Sequence, residues 1–203
     1  MGRHVVLITM KDASNFAIEE DLISYECSEN SKDSDLTLNP GVIEQSATIE
    51  IYDRDDKFKQ AAMFDTLNAF QNASVSIYFV NDLNEYIQLG EYLISSIELN
   101  GDNDTVVINC YDATSQLSDI KIDQYSVADR TAHTLLSIIF NQFLDQTPWE
   151  YLDQETANRC NWTIVYNSYM VSTDAREVLD MICALCMLTI FYKNGTFYVG
   201  SCL

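Results

Sequence analysis

The period of the apolar residues changes once along this chain, near Ala113, and that change limits the folds open to it. Before it they alternate: Ile49 and Ile51 in SATIEIYDR, Val75, Ile77 and Phe79 in SVSIYFV, Tyr92 and Ile94 in EYLISSIELN. Ile97 and Leu99 continue that last series after a slip of one residue. A period of two turns one face of each strand into a core. ISSIELN and TVVINCYD read as a hairpin whose turn chemistry lies in Asn100 to Asp104, with Val107 and either Ile108 or Cys110 re-entering the core. Strands at this spacing point to a barrel or a sandwich. Pro40 and Gly41 mark LNPGVIEQ as a loop, and DDKFKQAAMFDTLNAFQNAS, whose apolar residues do not alternate, reads as a short helix or an irregular connector.

After Ala113 the spacing becomes helical. Ala132, Leu135, Leu136, Ile139, Phe140 and Phe143 lay one continuous apolar stripe on a helix that ends before Pro148. NWTIVYNSYMVS then reads as a strand. In STDAREVLDMICALCMLTIFYKNGTFYVG, Thr173 or Asp174 can cap a second helix with Glu177 placed for a capping box, and the buried stripe is Ala175, Val178, Leu179, Ile182 and Leu185 or Cys186. Asn194-Gly195 between two β-prone runs predicts a hairpin with a type I′ turn. The segment is thus strand, helix, strand, strand, and no longer repeat suggests a solenoid.

With 203 residues, 47% of them hydrophobic, the chain is long enough for one large domain or two small ones. The sequence holds no apolar run of the ~18 residues a bilayer crossing requires, and Lys11 and Asp12 interrupt the short apolar start, so a soluble protein made in a cytoplasm is expected. A formal charge of −20 disfavours tight nucleic-acid binding, which draws on Lys and Arg. It suits solubility and self-repulsion.

No chemistry-bearing motif stands out. Cys183 and Cys186 form a single Cys-x-x-Cys pair, without the second knuckle or the nearby histidines that a structural zinc needs, and they fall in the later half of a helix. They are expected to be core thiols. Cys27, Cys110, Cys160 and Cys202 are too dispersed for a disulfide framework. The aspartates of YDRDDKF and NGDND lack EF-hand spacing and read as solvated turns. His133 reads as a helix-boundary histidine beside its apolar stripe. We therefore assign no catalytic, cofactor-binding or metal-ligating residue and no cofactor, while 31 acidic residues leave a carboxylate pair open.

The order of elements resembles the N-terminal half of phage tail and baseplate hub proteins, as in the front part of tail-associated lysins. GEYLISSIELNGDNDTVVINCYDATSQL is similar to a family phrase in which a strand, a hairpin and a second strand lead to an Asp at the domain exit, here Asp112 with Leu117 after it. SATIEIYDRDD looks like the strand before that phrase, and the Asn194-Gly195 segment like a module in which a capped helix delivers a hairpin. The resemblance implies an α+β protein: a tail-tube-like antiparallel β-barrel over 1–113, then a helical connector and a smaller α+β module over 114–203. It implies a homotrimeric hub that closes or extends the tail tube and docks receptor-binding or lytic parts. Its neighbours would be distal tail or tube, tape-measure and receptor-binding proteins in a virion tail assembled in the host cytoplasm. DNA would pass an acidic lumen without specific binding. Family hubs continue past this hairpin, so the chain is expected to be the front of something longer, or one of two polypeptides, or a minimal adaptor. Two other classes stay open. One is a carbohydrate-binding β-sandwich adhesin using aromatics such as Trp149 and Trp162, and the other is a carboxylate-based hydrolase.

Overall fold

A computed structural model describes residues 2–11, 13–30, 40–63, 70–71, 73–100, 104–122, 130–143, 148–164 and 173–202. The strands before Ala113 are β1 (Arg3–Thr9), β2 (Asn15–Ile18), β3 (Leu22–Asn30), β4 (Gly41–Val42), β5 (Glu44–Tyr52), β6 (Ser74–Val80), β7 (Tyr86–Asn100) and β8 (Thr105–Tyr111). Those after it are β9 (Lys121–Ile122), β10 (Arg130–Thr131), β11 (Trp149–Tyr151), β12 (Thr163–Ile164), β13 (Thr173–Asp174), β14 (Leu188–Lys193) and β15 (Thr196–Ser201). The helices are α1 (Lys57–Met63), α2 (Ala132–Ile138), α3 (Gln154–Arg159) and α4 (Ala175–Cys186). Mostly antiparallel sheets with a few helices make this an α+β chain. It divides into two compact units, Met1–Glu29 with Gln45–Asp112, and Asn30–Glu44 with Ala113–Leu203.

In the first unit most of the alternating residues act as their period requires; the register shift after Ile77 leaves Phe79 half-buried and buries Val80 instead, and Leu99 is exposed. Ile49, Ile51, Val75, Ile77, Tyr92, Ile94, Val106, Ile108 and Cys110 all point into one core. The hairpin core set is Val106, Ile108 and Cys110, which corrects the assignment of Val107: it faces the other way. The one-residue slip in EYLISSIELN is a β-bulge. The pairing with β8 shifts between Ile94 and Ser96, so Ile97 still stands opposite Ile108 and Leu99 opposite Val106.

The barrel expected for this half is not closed. Its strands form an open seven-stranded sheet in the order β2-β1-β6-β7-β8-β5-β3. The physical reason lies at the ends: β2 is four residues long and pairs only with Val6–Thr9 of β1, so the ladder stops there. Side chains join what hydrogen-bonded strands do not. Tyr25 Oη on β3 lies 3.0 Å from His4 Nδ1 on β1, and the His4 ring also packs on Phe79 of β6 at 5.4 Å. A side-chain contact thus reaches from the end strand β3 to β1, the neighbour of the other end strand, without a continuous ladder. The connector after β5 is in part a helix, α1, whose Phe58 packs with Phe16 and Phe70; residues 64–69 of that stretch lie outside the described ones.

The second unit packs α2 and α4 against the inner face of a four-stranded sheet, ordered β11-β15-β14-β4, with two short ribbons, β10-β12 and β13-β9. The predicted α2 stripe of Ala132, Leu135, Leu136, Ile139 and Phe140 is buried, while the Phe143 side chain lies outside the described residues. From Ile139 to Phe143 the helix widens into a π-turn. In α4 the cap is Asp174, whose carboxylate accepts from Glu177 N at 2.8 Å. Its stripe ends differently from expectation: Leu185 is exposed and Cys183 takes the buried place, with Cys186 half-buried beside it. Met187 closes the helix in the left-handed region at φ 54°. The Asn194-Gly195 turn forms as predicted, with φ of 51° and 79°, and the apolar last strand, β15, lies between β11 and β14.

The expected loop around Pro40 and Gly41 carries a strand, β4, aligned parallel to β14. Of the strand expected in NWTIVYNSYMVS, Thr163–Ile164 is seen and 165–172 lies outside the described residues.

Candidate interaction surface

Several of the residues singled out for chemistry are buried in the fold. Cys183 is fully buried and its thiol is pushed well above the usual range, first by burial and then by Asp180 and by Cys202, Cys186 and Cys160 nearby. Burial alone raises Cys186. Neutral thiols of this kind behave as small hydrophobes. Cys160 is pushed up to about 11 and Cys110 to about 12, both chiefly by burial. Among the described residues, no group of three or more His, Cys, Asp or Glu side chains converges as a metal site would require.

Three aspartates of the two acidic turns, Asp53, Asp56 and Asp104, are engaged locally. Asp53 is buried and caps α1, accepting from Phe58 N at 3.2 Å and Lys59 N at 2.9 Å. Asp56 and Asp104 converge on the Lys59 ammonium. The sequence read these turns as solvated; Asp53 departs from that because a helix start needs an acceptor. Asp102 lies outside the described residues. Asp112 is buried at the end of the first unit, its N–H donating to Gln45 O at 2.9 Å, and Leu117 is in the core of the second.

His133 links α2 to β11. Its Nδ1 lies 2.9 Å from Tyr151 Oη, its ring packs near Trp149 at 5.7 Å, and its N–H donates to Cys160 O at 2.8 Å. The two tryptophans separate: Trp149 stacks on Phe140 at 5.3 Å, whereas Trp162 is exposed.

Two further surface features stand out among the described residues. The first is a cleft of about 370 Å³ with Phe16, Ile51 and Phe58 among its walls. Its carboxylates are partly consumed, Asp53 by the helix cap and Asp21 by Arg54 at 2.9 Å. The second is the end of the β6–β7 hairpin. Leu83 is 78% exposed, Tyr86 59%, Ile87 49% and Leu89 47%. Asn81 stiffens the turn, its Oδ1 accepting from Leu83 N at 2.9 Å and Glu85 N at 3.0 Å while its Nδ2 donates to Glu85 Oε2 at 2.7 Å. The alternation in SVSIYFV located β6, but it carries no information on which residues stay exposed beyond it. The available signal was Leu83, Tyr86, Ile87 and Leu89 within seven positions of an otherwise polar turn.

The sequence matches no protein-family model and no curated protein. Solved structures do match. Prophage tail protein gp18 of Listeria monocytogenes aligns with 97% of this chain at a TM-score of 0.62 and 11% identity. The tail protein of Neisseria meningitidis aligns with 97% at 0.59 and 12% identity, and the MuSo2 prophage tail protein of Shewanella oneidensis with 98% at 0.58 and 11% identity. The chain has the fold seen in these phage tail proteins. It spans about half their length: 50%, 50% and 53% of the three respectively.

Proposed function

We propose that the chain is a non-enzymatic structural subunit of a phage tail, serving as a hub or adaptor in a homotrimer at the tail tip. In this reading 1–113 is a tail-tube-like domain and 114–203 a connector and α+β module. Three copies close or extend the tube and dock receptor-binding or lytic parts, beside distal tail or tube and tape-measure proteins. Assembly takes place in the cytoplasm of the bacterial host. The observation that carries the reading is the shared fold along nearly the whole chain with three phage tail proteins. The acidic excess agrees with a lumen that repels DNA rather than binding it. The end strands β2 and β3 supply backbone groups for pairing between copies.

Light scattering on the purified chain over a range of concentrations tests the self-assembly. A species of three times the chain mass is expected. A monomer at every concentration, with no trimer formed when the neighbouring tail proteins are added, contradicts it.

A further inference from the structure

The end of the β6–β7 hairpin is apolar on both of its faces. Phe79 stands opposite Ile87, Tyr78 opposite Gln88 and Val80 opposite Tyr86. Opposed residues share a face, so Ile87 looks to one side and Tyr86, in edge contact with Tyr78 at 5.8 Å, to the other. Leu89 falls where the register shifts, and Leu83 sits on the turn. A sheet with one buried face needs apolar residues on one side only; here large apolar side chains on both sides are left in water. The turn is already set by Asn81 and by Asn84 at φ 58°, so little freedom remains to be lost on binding.

Charge narrows the occupant. From Val80 to Gly90 there is no cation, and Asp82 and Glu85 flank Leu83. Among the described residues, Arg3, Arg54, Lys59, Lys121, Arg159 and Arg176 are each ion-paired to a carboxylate of the same chain. Lys11, Lys57 and Lys193 stay exposed, but a second copy with a formal −20 carries nearly three acidic side chains for each basic one, so its surface repels these acids on balance.

We infer that the hairpin end inserts into an apolar cleft, rimmed by lysine or arginine, on a protein other than a second copy of this chain. This rests on the tail reading, which supplies such neighbours. The two flat faces enter the cleft, and Asp82 and Glu85 meet its basic rim.

The test places the photo-reactive residue benzoylphenylalanine at position 83 of the chain in assembled tails and maps the cross-linked peptides by mass spectrometry. The expected result is one non-self segment carrying lysine or arginine at its flanks, with Leu83→Asp lowering that neighbour's occupancy at least about tenfold. Because Leu83 is exposed, that substitution leaves the fold intact, which circular dichroism of the variant checks. Cross-links to a second copy, cross-links to a segment without cations, or normal occupancy in Leu83→Asp tails overturn the inference while leaving the tail reading standing. Absence of the unsubstituted chain from purified tails overturns both.

Discussion

Arg176 shows how single residues tie this fold together. The chain leaves the first unit after β3, contributes β4 to the second unit's sheet and returns through β5. Arg176 of α4 holds that excursion, with Nη1 2.6 Å from Glu44 and Nη2 donating to Val42 O at 3.2 Å, while Asp180 accepts from Val42 N at 2.9 Å. Its side chain is only 14% exposed, so Arg176→Ala removes the guanidinium shared by the largely buried Glu44 and Asp180 carboxylates. Urea unfolding should register a loss of about 2 to 3 kcal/mol, with Arg176→Lys recovering part of it. The thiols make a second residue-scale prediction. Ellman's reagent should modify exposed Cys27 readily and the buried Cys110, Cys160 and Cys183 only on unfolding. Cys110 and Cys160 titrate above their ordinary 9.0 in the folded chain, to about 12 and about 11. The unfolded state thus loses these protons first, so their contribution is complete below pH 9 and declines as pH rises from there. The slope approaches about 1.4 kcal/mol per pH unit for each thiol. Stability measured from pH 7 to 10.5 should fall only in the upper part of that range; a flat profile would show that these thiols are not buried.

At the scale of elements, much was legible because local rules sufficed. The even spacing of Ile49 and Ile51, the slip before Ile97, the Asp174 cap and the Asn194-Gly195 turn each follow from neighbours within a few positions. What failed was non-local. Closure of the first sheet depends on which strand reaches which edge, and no period encodes that β2 stops after four residues. The β4 strand is two residues long and is defined by its partner β14, so Pro40 and Gly41 concealed it. Helix α3 escaped notice because its six residues carry almost no apolar stripe; its start lay in Asp153, which caps Thr156 N at 2.7 Å. The hairpin end likewise follows from exposure, a property of the folded sheet. Two substitutions probe the legible parts. Gly195→Ala meets no atom within 4 Å, so its cost is the backbone strain at φ 79°, about 1 kcal/mol. Leu179→Ala opens a cavity at a fully buried position of α4 and should cost about 3 kcal/mol. A thermal-melt series should place the second well below the first.

For the whole molecule, the charge of −20 and the proposed trimer pull in opposite directions. In the proposed trimer, copies carrying this charge repel, so association between copies should tighten as salt rises from about 0.02 to 0.3 M and the Debye length contracts. Sedimentation velocity would detect this, and weakening with salt would point to attraction between unlike charges at the interface. The hairpin end, facing a basic rim, should show the opposite dependence. The central claim is that this chain builds the end of a phage tail, and a cryo-electron reconstruction of purified tails tests it most directly. The account predicts three copies of this fold around the axis at the tail tip. Tails that lack the chain, or that carry it as a single copy away from the axis, would contradict it.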